Sequence, residues 1–297
     1  MTPEISIITP SFNQGRFIER TLKSVLSQNV PALEYIVMDG GSTDETVSIL
    51  QQYDTQLKWL TEKDQGPSDA INRGIQRTSA PIIGWLNSDD IYYPGALNAV
   101  IEYFMAHPEV EVVYGDACHI DENDVVLEQY PTENWDWERL TNVCFISQPA
   151  AFLRREVFLR HGALDILLRN MDYEYWLRLG KNGVRFAHLP KLLAATRLHP
   201  AAFTVVARVA GHQSINDITR RHLGRTPDRW LFNYAHAVVE SKGFSRDHRL
   251  RFVIAVSLTS YYAALRWNRC ISRPMLQTTA RWIGGGAKVT IREVLAR

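Results

Sequence analysis

Apolar and polar positions in the first half of the chain alternate between two rhythms. Glu4–Thr9 is a short run rich in isoleucine, the form of a buried strand. Phe17, Ile18, Thr21, Leu22, Val25 and Leu26 then recur three and four apart, which gathers them on one helix face. Further strands are predicted over Tyr35–Met38, Leu57–Thr61, Ile82–Leu86 and Val110–Tyr114. Between them the pattern predicts helices from Ser42 to about Tyr53, over Ser68–Gln76 and over Pro94–His107. Ser42-Thr-Asp-Glu45 has the form of a capping box, and Pro94 suits a first helical turn. Strands separated by helices of this length imply right-handed crossovers. The fold class is therefore α/β, a mostly parallel, Rossmann-like sheet with helices on both faces.

After Tyr114 the rhythm changes. Val125–Tyr130 reads as an added antiparallel strand and Trp135–Asn142 as a short helix. Phe152-Leu153 leads into a helix over Arg155–His161, and Tyr173, Trp176, Leu177 and Gly180 mark another that stops at Asn182-Gly183. Beyond roughly residue 207 the pattern is helical and basic, so the expected division is 1–205 for the body and 206–297 for a helical C-terminal extension. Phe252–Leu265 is an apolar run of 14 residues between Arg251 and Arg266. A membrane span needs about 20, so this run is either a buried helix or an interfacial one.

Composition adds two constraints. Of 297 residues, 45% are hydrophobic, enough for one substantial core with an appendage. Three scattered cysteines exclude a disulfide framework or a four-ligand zinc site and fit a reducing compartment. No secretory leader is apparent at the N-terminus, so the expected location is the cytoplasm or the inner face of the cytoplasmic membrane. The net charge of +1 conceals an asymmetry: residues 1–207 carry 17 basic and 27 acidic groups, whereas 208–297 carry 16 basic and 5 acidic. The acidic body could hold a cation, and the basic tail could face phosphate-bearing partners, an anionic membrane surface among them, or pack on the body or a second subunit. A nucleic acid is not among the expected partners.

Ligands of an open α/β sheet bind beyond the carboxyl ends of its strands. Here those ends carry Thr9-Pro-Ser-Phe-Asn13, Asp39, Glu62-Lys-Asp64 and Asn87-Ser-Asp-Asp90. One such Asp is usually a turn former, but a series along one rim suits Mg²⁺ or Mn²⁺ bridging a diphosphate. There is no G-x-G-x-x-G or Walker-type loop, so metal and side chains must neutralise the phosphates.

Thr9-Pro-Ser-Phe-Asn13, Met38-Asp-Gly-Gly-Ser-Thr-Asp-Glu45, Asp64-Gln-Gly66, Asp69-Ala-Ile-Asn-Arg-Gly74 and Trp85-Leu-Asn-Ser-Asp-Asp90 together resemble the family 2 glycosyltransferases of the GT-A fold. Met171-Asp-Tyr-Glu-Tyr-Trp-Leu-Arg-Leu179 and Arg197-Leu-His-Pro200 extend the likeness, which covers roughly residues 3–205 and is of the bacterial cell-surface polysaccharide type, lipopolysaccharide included. The resemblance implies metal-dependent, inverting transfer of a sugar from a nucleotide-sugar donor, UDP first among UDP, dTDP and GDP, to a glycan or lipid-linked acceptor. It implies that Thr9, Pro10, Asp39 and Asp64 contact the nucleotide, that Asn87 and Asp90 flank Asp89 as metal ligand, and that Arg197 and His199 lie near the diphosphate and Mn²⁺ or Mg²⁺. Asp172 matches the general base. Asn87 stands where many relatives have Asp, Ile71 where others carry Arg, and Asn170 replaces an acidic neighbour of the base.

Other roles remain open for several of these residues. Asp172 could instead cap its helix, and Glu174 is the stand-in base. His199 could ligate metal or merely form hydrogen bonds. Asp44 fits a helix start better than a substrate contact. Trp135 and Trp137 could stack on an acceptor sugar or pack internally, and Gln148 lies where an acceptor could bind. Two other functions compete: a sugar nucleotidyltransferase, disfavoured because Pro10-Ser-Phe-Asn-Gln-Gly15 lacks its glycine-rich basic loop, and a catalytically silent nucleotide-sugar-binding protein.

Overall fold

The isoleucine run forms β1 (Ile5–Ser11), buried throughout. Strands covered on both faces read as continuous apolar runs, which is why this one shows no alternation. It runs parallel to β2 (Leu33–Asp39), which in turn pairs with β3 (Lys58–Thr61) at the sheet edge. On its other side lies β4 (Ile82–Trp85), also parallel. The computed structural model describes residues 4–200 and 207–295. It continues the sheet with β5 (Ile91–Tyr92), β6 (Val112–Ile120), β7 (Val126–Gln129), β8 (Ala151–Arg154) and β9 (Phe186–Arg197). The order is β3-β2-β1-β4-β8-β6-β9-β5, with β7 antiparallel to β6. The sheet is mixed, because β8 inserts antiparallel between β4 and β6.

The helices of this body are α1 (Ile18–Leu26), α2 (Thr46–Gln51), α3 (Pro67–Gln76), α4 (Ala96–Ala106), α5 (Trp137–Asn142), α6 (Arg155–His161) and α7 (Met171–Lys181). The stripe read in α1 is the buried one: Ile18, Thr21, Leu22 and Val25 face the sheet.

Two local expectations are corrected, and one strand had no counterpart among them. The capping box does not form: α2 starts at Thr46 without a side-chain cap, and the Ser42 hydroxyl turns back to Asp39. Helix α4 starts at Ala96, behind Gly95 at φ 75°, so Pro94 precedes it. The long strand β9 was not anticipated. It carries Pro190 and Lys191 at exposed positions, and its pairing with β6 slips at Gly115–Ala117, so neither a period of two nor a solid apolar run shows in its sequence.

The chain divides into units Met1–Ala202 and Phe203–Arg297; the boundary expected at 205/206 lies outside the described residues. The second unit packs α8 (Arg208–Leu223), α9 (Asp228–Ser241), α10 (Arg249–Asn268) and α11 (Arg273–Leu295) around Leu231, Tyr234, Ala263, Trp267 and Met275. Among the described residues no helix is long and apolar enough to cross a membrane.

Candidate active site

The parallel register sets Pro10 beside Met38 and Ser11 beside Asp39, so β1 and β2 end together. Thr9 and Pro10 are buried there, and the Thr9 hydroxyl lies 3.1 Å from that of Tyr35. Asp39 is only 2% exposed. Its Oδ2 accepts from the amides of Gly41 at 3.1 Å and Ser42 at 2.9 Å and from the Thr61 hydroxyl at 2.6 Å, while Oδ1 accepts from Ser42 Oγ. Ser42 Oγ accepts in turn from the Asn13 amide at 2.7 Å, and Asn13 Oδ1 from Thr43 N at 2.8 Å. One carboxylate thus organises both loops that follow β1 and β2. Asp64 comes in from β3 and accepts from Gly66 N at 2.9 Å. Burial, and then the charges of Asp69 and Asp39, push its carboxyl above the usual range. A Cβ on Gly40 would stand 2.8 Å from Asp64 Oδ2, so a larger residue there would push the Asp64 carboxylate aside.

The end of β4 joins this edge through Leu86 N, which donates to Ile8 O at 2.9 Å. The following loop is held from below, with Thr21 Oγ1 at 2.9 Å from Ser88 O and 2.8 Å from Asp90 O. Asp90 is buried and accepts from Arg197 N at 3.0 Å and Asn87 Nδ2 at 3.2 Å. Burial, and then the neighbouring Asp89, hold it well above the ordinary carboxylate range. Asp89 is the carboxylate that faces outward. Its Oδ2 lies 3.1 Å from His199 Nε2, which the turn after β9 brings across 110 positions of sequence. Phe17 packs on the His199 ring, 4.8 Å between centroids. A recess of about 310 Å³ opens there, lined by Asn13, Gln14, Arg16, Phe17, Glu122 and His199. A larger recess of about 450 Å³, around Lys58, Trp59 and Arg77, lies against β3 and includes none of the expected site residues.

Arg197 reaches the Asp89 loop from the inside. Its side chain is 0% exposed. Nε donates to Asp89 O and Nη1 to Asp121 O, both at 2.8 Å, and Nη1 also pairs with Asp124. Nη2 is buried with no protein partner among the described residues. The guanidinium therefore holds the Asp89 loop in place and keeps one donor in reserve.

Among the described residues no three His, Cys, Asp or Glu side chains form a metal cage. Asp89 and His199 still set an oxygen and a nitrogen ligand atom side by side, 3.1 Å apart. Mg²⁺ commonly takes one or two protein ligands and completes its shell with phosphate oxygens and water, and the pair fits a cation arriving with a diphosphate.

Beyond this loop, Asn87 Nδ2 donates to Gln148 Oε1 at 3.1 Å, and Gln148 Nε2 to Trp85 O at 2.7 Å. Trp85 stacks on Trp176 of α7 at 5.7 Å, and Asp172 lies one turn earlier on that helix. Asp172 does not cap α7; Asn170 takes that position. Asp172 is half-buried, and burial pushes its carboxyl up while the Tyr173 amide and its own oppose the shift. It sits close enough to Tyr130 and Cys144 for its charge to add to burial in raising both, Cys144 to about 12. Glu174, by contrast, is buried and paired with Arg178 at 3.0 Å. Trp135 stacks on Phe186 at 4.0 Å, and a Cβ on Gly180 would stand 2.7 Å from the Trp137 ring, so both indoles have packing roles. Asp44 sits just before α2, where it accepts from Thr46 N at 3.0 Å and from Gly15 N at 2.8 Å.

Sequence reasoning missed Thr21 beneath the 87–90 loop, Phe17 against Arg197 and His199, and Ser42 as partner of Asp39. Only Ser42 left a signal, its spacing of three from Asp39.

A mixed sheet whose parallel strands end at Asp39, Asp64 and the Asn87–Asp90 loop, with helices packed on it, has the architecture of the GT-A glycosyltransferases. S. aureus TarS 1–349 solved with UDP-GlcNAc superposes with a TM-score of 0.63 at 16% identity, covering 95% of this chain and 89% of that one. The mannosyltransferase PcManGT from Pyrobaculum calidifontis, solved with GDP-Man and Mn²⁺, gives 0.61 at 20% identity, covering 98% and 81%. The model of Glycosyl transferase family 2 matches residues 6–162, and the chain belongs to that family. It is similar to the chondroitin synthase of Escherichia coli, 28% identical over 201 residues that make up 66% of this chain and 29% of the synthase. A putative teichuronic acid biosynthesis glycosyltransferase, TuaG of Bacillus subtilis, is 37% identical over 108 residues, 35% of this chain and 42% of TuaG. The chain thus aligns with less than a third of the length of the chondroitin synthase.

Proposed function

We propose that this glycosyltransferase moves a sugar from a nucleoside diphosphate donor to a hydroxyl of a glycan or lipid-linked acceptor, inverting the anomeric carbon. Asp172 takes the proton of the acceptor hydroxyl. The hydroxyl oxygen bonds to the anomeric carbon from the face opposite the donor phosphate, the anomeric C–O bond breaks, and the electron pair leaves with the nucleoside diphosphate. A base poised near the working pH transfers protons best, and burial moves Asp172 in that direction.

Thr9, Pro10, Asp39 and Asp64 hold the nucleoside, with Asn87 and Asp90 shaping the turn toward the sugar. Asp89 and His199 would hold Mg²⁺ or Mn²⁺, which supplies charge stabilisation for the departing diphosphate. Arg197 fixes Asp89 from beneath, and its Nη2 is the donor left for a phosphate oxygen. The observation that carries this reading is the meeting of Asp89 and His199 on the edge where β1, β2 and β4 end. TarS with UDP-GlcNAc and PcManGT with GDP-Man support a nucleoside diphosphate donor, and a UDP-sugar is the first to try.

The test is a screen of nucleotide sugars for Mn²⁺- or Mg²⁺-dependent release of free nucleoside diphosphate, with and without a lipid-phosphate acceptor. Turnover that Asp172→Asn abolishes supports the assignment. Donor binding without turnover under every condition points instead to a silent nucleotide-sugar-binding protein.

A further inference from the structure

Helix α10, which contains the Phe252–Leu265 run, is buried along one face and exposed along the other. Phe252, Val256, Ser260, Ala263 and Trp267 are buried within the helical unit. Ile254, Leu258, Tyr262 and Leu265 are 40%, 62%, 59% and 54% exposed. At 3.6 residues per turn these four fall within an arc of about 80°, opposite the buried face. Arg251 and Arg266 are exposed beside the stripe, and Arg269 follows at the helix end. Scattered exposed apolar residues are ordinary, but a continuous stripe rimmed by charge marks a docking surface.

We propose that this face of α10 lies on an anionic lipid surface, with the apolar stripe in the headgroup region and the arginines on lipid phosphates. Charge selects this occupant. Helix α10 contains no Asp or Glu, and residues 208–297 carry 16 basic groups against 5 acidic. Three of those acids are spoken for: Asp217 accepts from Trp267 Nε1, Asp228 bonds Ser272, and Glu240 pairs with Arg208 and Arg246. A second copy docking through the same face would set arginine against arginine, whether parallel or antiparallel, with no carboxylate on the helix to separate them. Anionic headgroups pair with all of them. An amphipathic helix with a basic rim lies in the plane of the interface, and α10 is not apolar enough to cross instead.

The experiment is flotation of the full chain with phosphatidylglycerol-containing vesicles and with phosphatidylcholine vesicles, at low and moderate salt. Binding is expected to the anionic vesicles alone and to weaken with salt. Each arginine strengthens partitioning by roughly five-fold, so Arg251→Gln/Arg266→Gln/Arg269→Gln lowers it by roughly 100-fold. Ile254→Ser/Leu258→Gln/Leu265→Gln abolishes it, and because those side chains are exposed the melting temperature stays unchanged. No binding by the unmodified chain, equal binding to neutral vesicles, or full binding by the apolar variant overturns the proposal. A dimer that the apolar variant splits, without vesicle binding, assigns the face to a second copy.

Discussion

Asn87 stands where many family members carry Asp, and the structure gives it a task that Asp cannot perform. Its Nδ2 donates to Gln148 Oε1 at 3.1 Å and to Asp90 Oδ2 at 3.2 Å. Gln148 cannot turn its amide to compensate, because Nε2 is committed to Trp85 O. In Asn87→Asp two donated bonds disappear, each contributing about 1 kcal/mol. A carboxylate oxygen then faces two acceptors in a half-buried loop, which costs about 1–2 kcal/mol more. The total, about 3–4 kcal/mol, corresponds to a melting temperature lower by roughly 6–15 °C for a unit of this size.

The deficit carries a pH signature. Asp90 already has a raised pKa, and a second carboxylate raises it further. The folded state then keeps a proton that the unfolded chain has released, so stability falls as pH rises from the ordinary carboxylate range toward the raised value. Thermal unfolding of the unmodified chain, Asn87→Asp and Asn87→Ala, followed by circular dichroism from acid to mildly alkaline pH, separates the terms. Asn87→Ala loses about 2 kcal/mol, slightly more toward alkaline pH because its hydrogen bond no longer lowers Asp90, and Asn87→Asp loses more, increasingly so as pH rises. An Asn87→Asp protein as stable as the unmodified chain at pH 7.5 would falsify the reasoning.

Three further outcomes follow. The acid limb of kcat/KM tracks ionisation of Asp172: activity falls as pH drops through a pKa above the ordinary Asp value, and Asp172→Asn lowers kcat at least 100-fold with little change in donor binding; a near-normal rate in that variant refutes the base assignment. Gly40→Ala drives its methyl into Asp64, so the donor Kd, read by calorimetry, rises about ten-fold while the melting temperature shifts little; unchanged affinity would remove Asp64 from the donor site. His199→Ala leaves the fold intact and weakens Mn²⁺-dependent donor binding by about ten-fold; calorimetry with and without Mn²⁺ reads it, and equal loss without metal would show that His199 acts only by packing on Phe17.

The parallel half of the sheet was legible because β1, β2 and β4 are buried on both faces, and burial on both faces leaves solid apolar runs in the sequence. The rim residues were legible for a related reason, since polar groups directly after such runs have only one edge to occupy. What escaped were features made by distant partners. Strand β9 is bulged and partly exposed. The inward turn of Arg197 depends on carbonyls at Asp89 and Asp121, which no local pattern announces. The capping box misled because the Ser42 oxygen, expected to accept from a helix amide, accepts instead from Asn13 N while its hydroxyl donates to the buried Asp39 carboxylate.

The turn at 121–124 is fastened to the rest of the body by three ion pairs of unequal depth. Arg16–Glu122 and Arg20–Asp124 lie open to solvent, whereas Arg197–Asp124 is closed off on the arginine side. Dissolved ions weaken the outer two and scarcely touch the inner one. Buffer strength therefore governs the two outer ties, while the Arg197–Asp124 pair keeps the turn on the body in dilute and concentrated buffer alike.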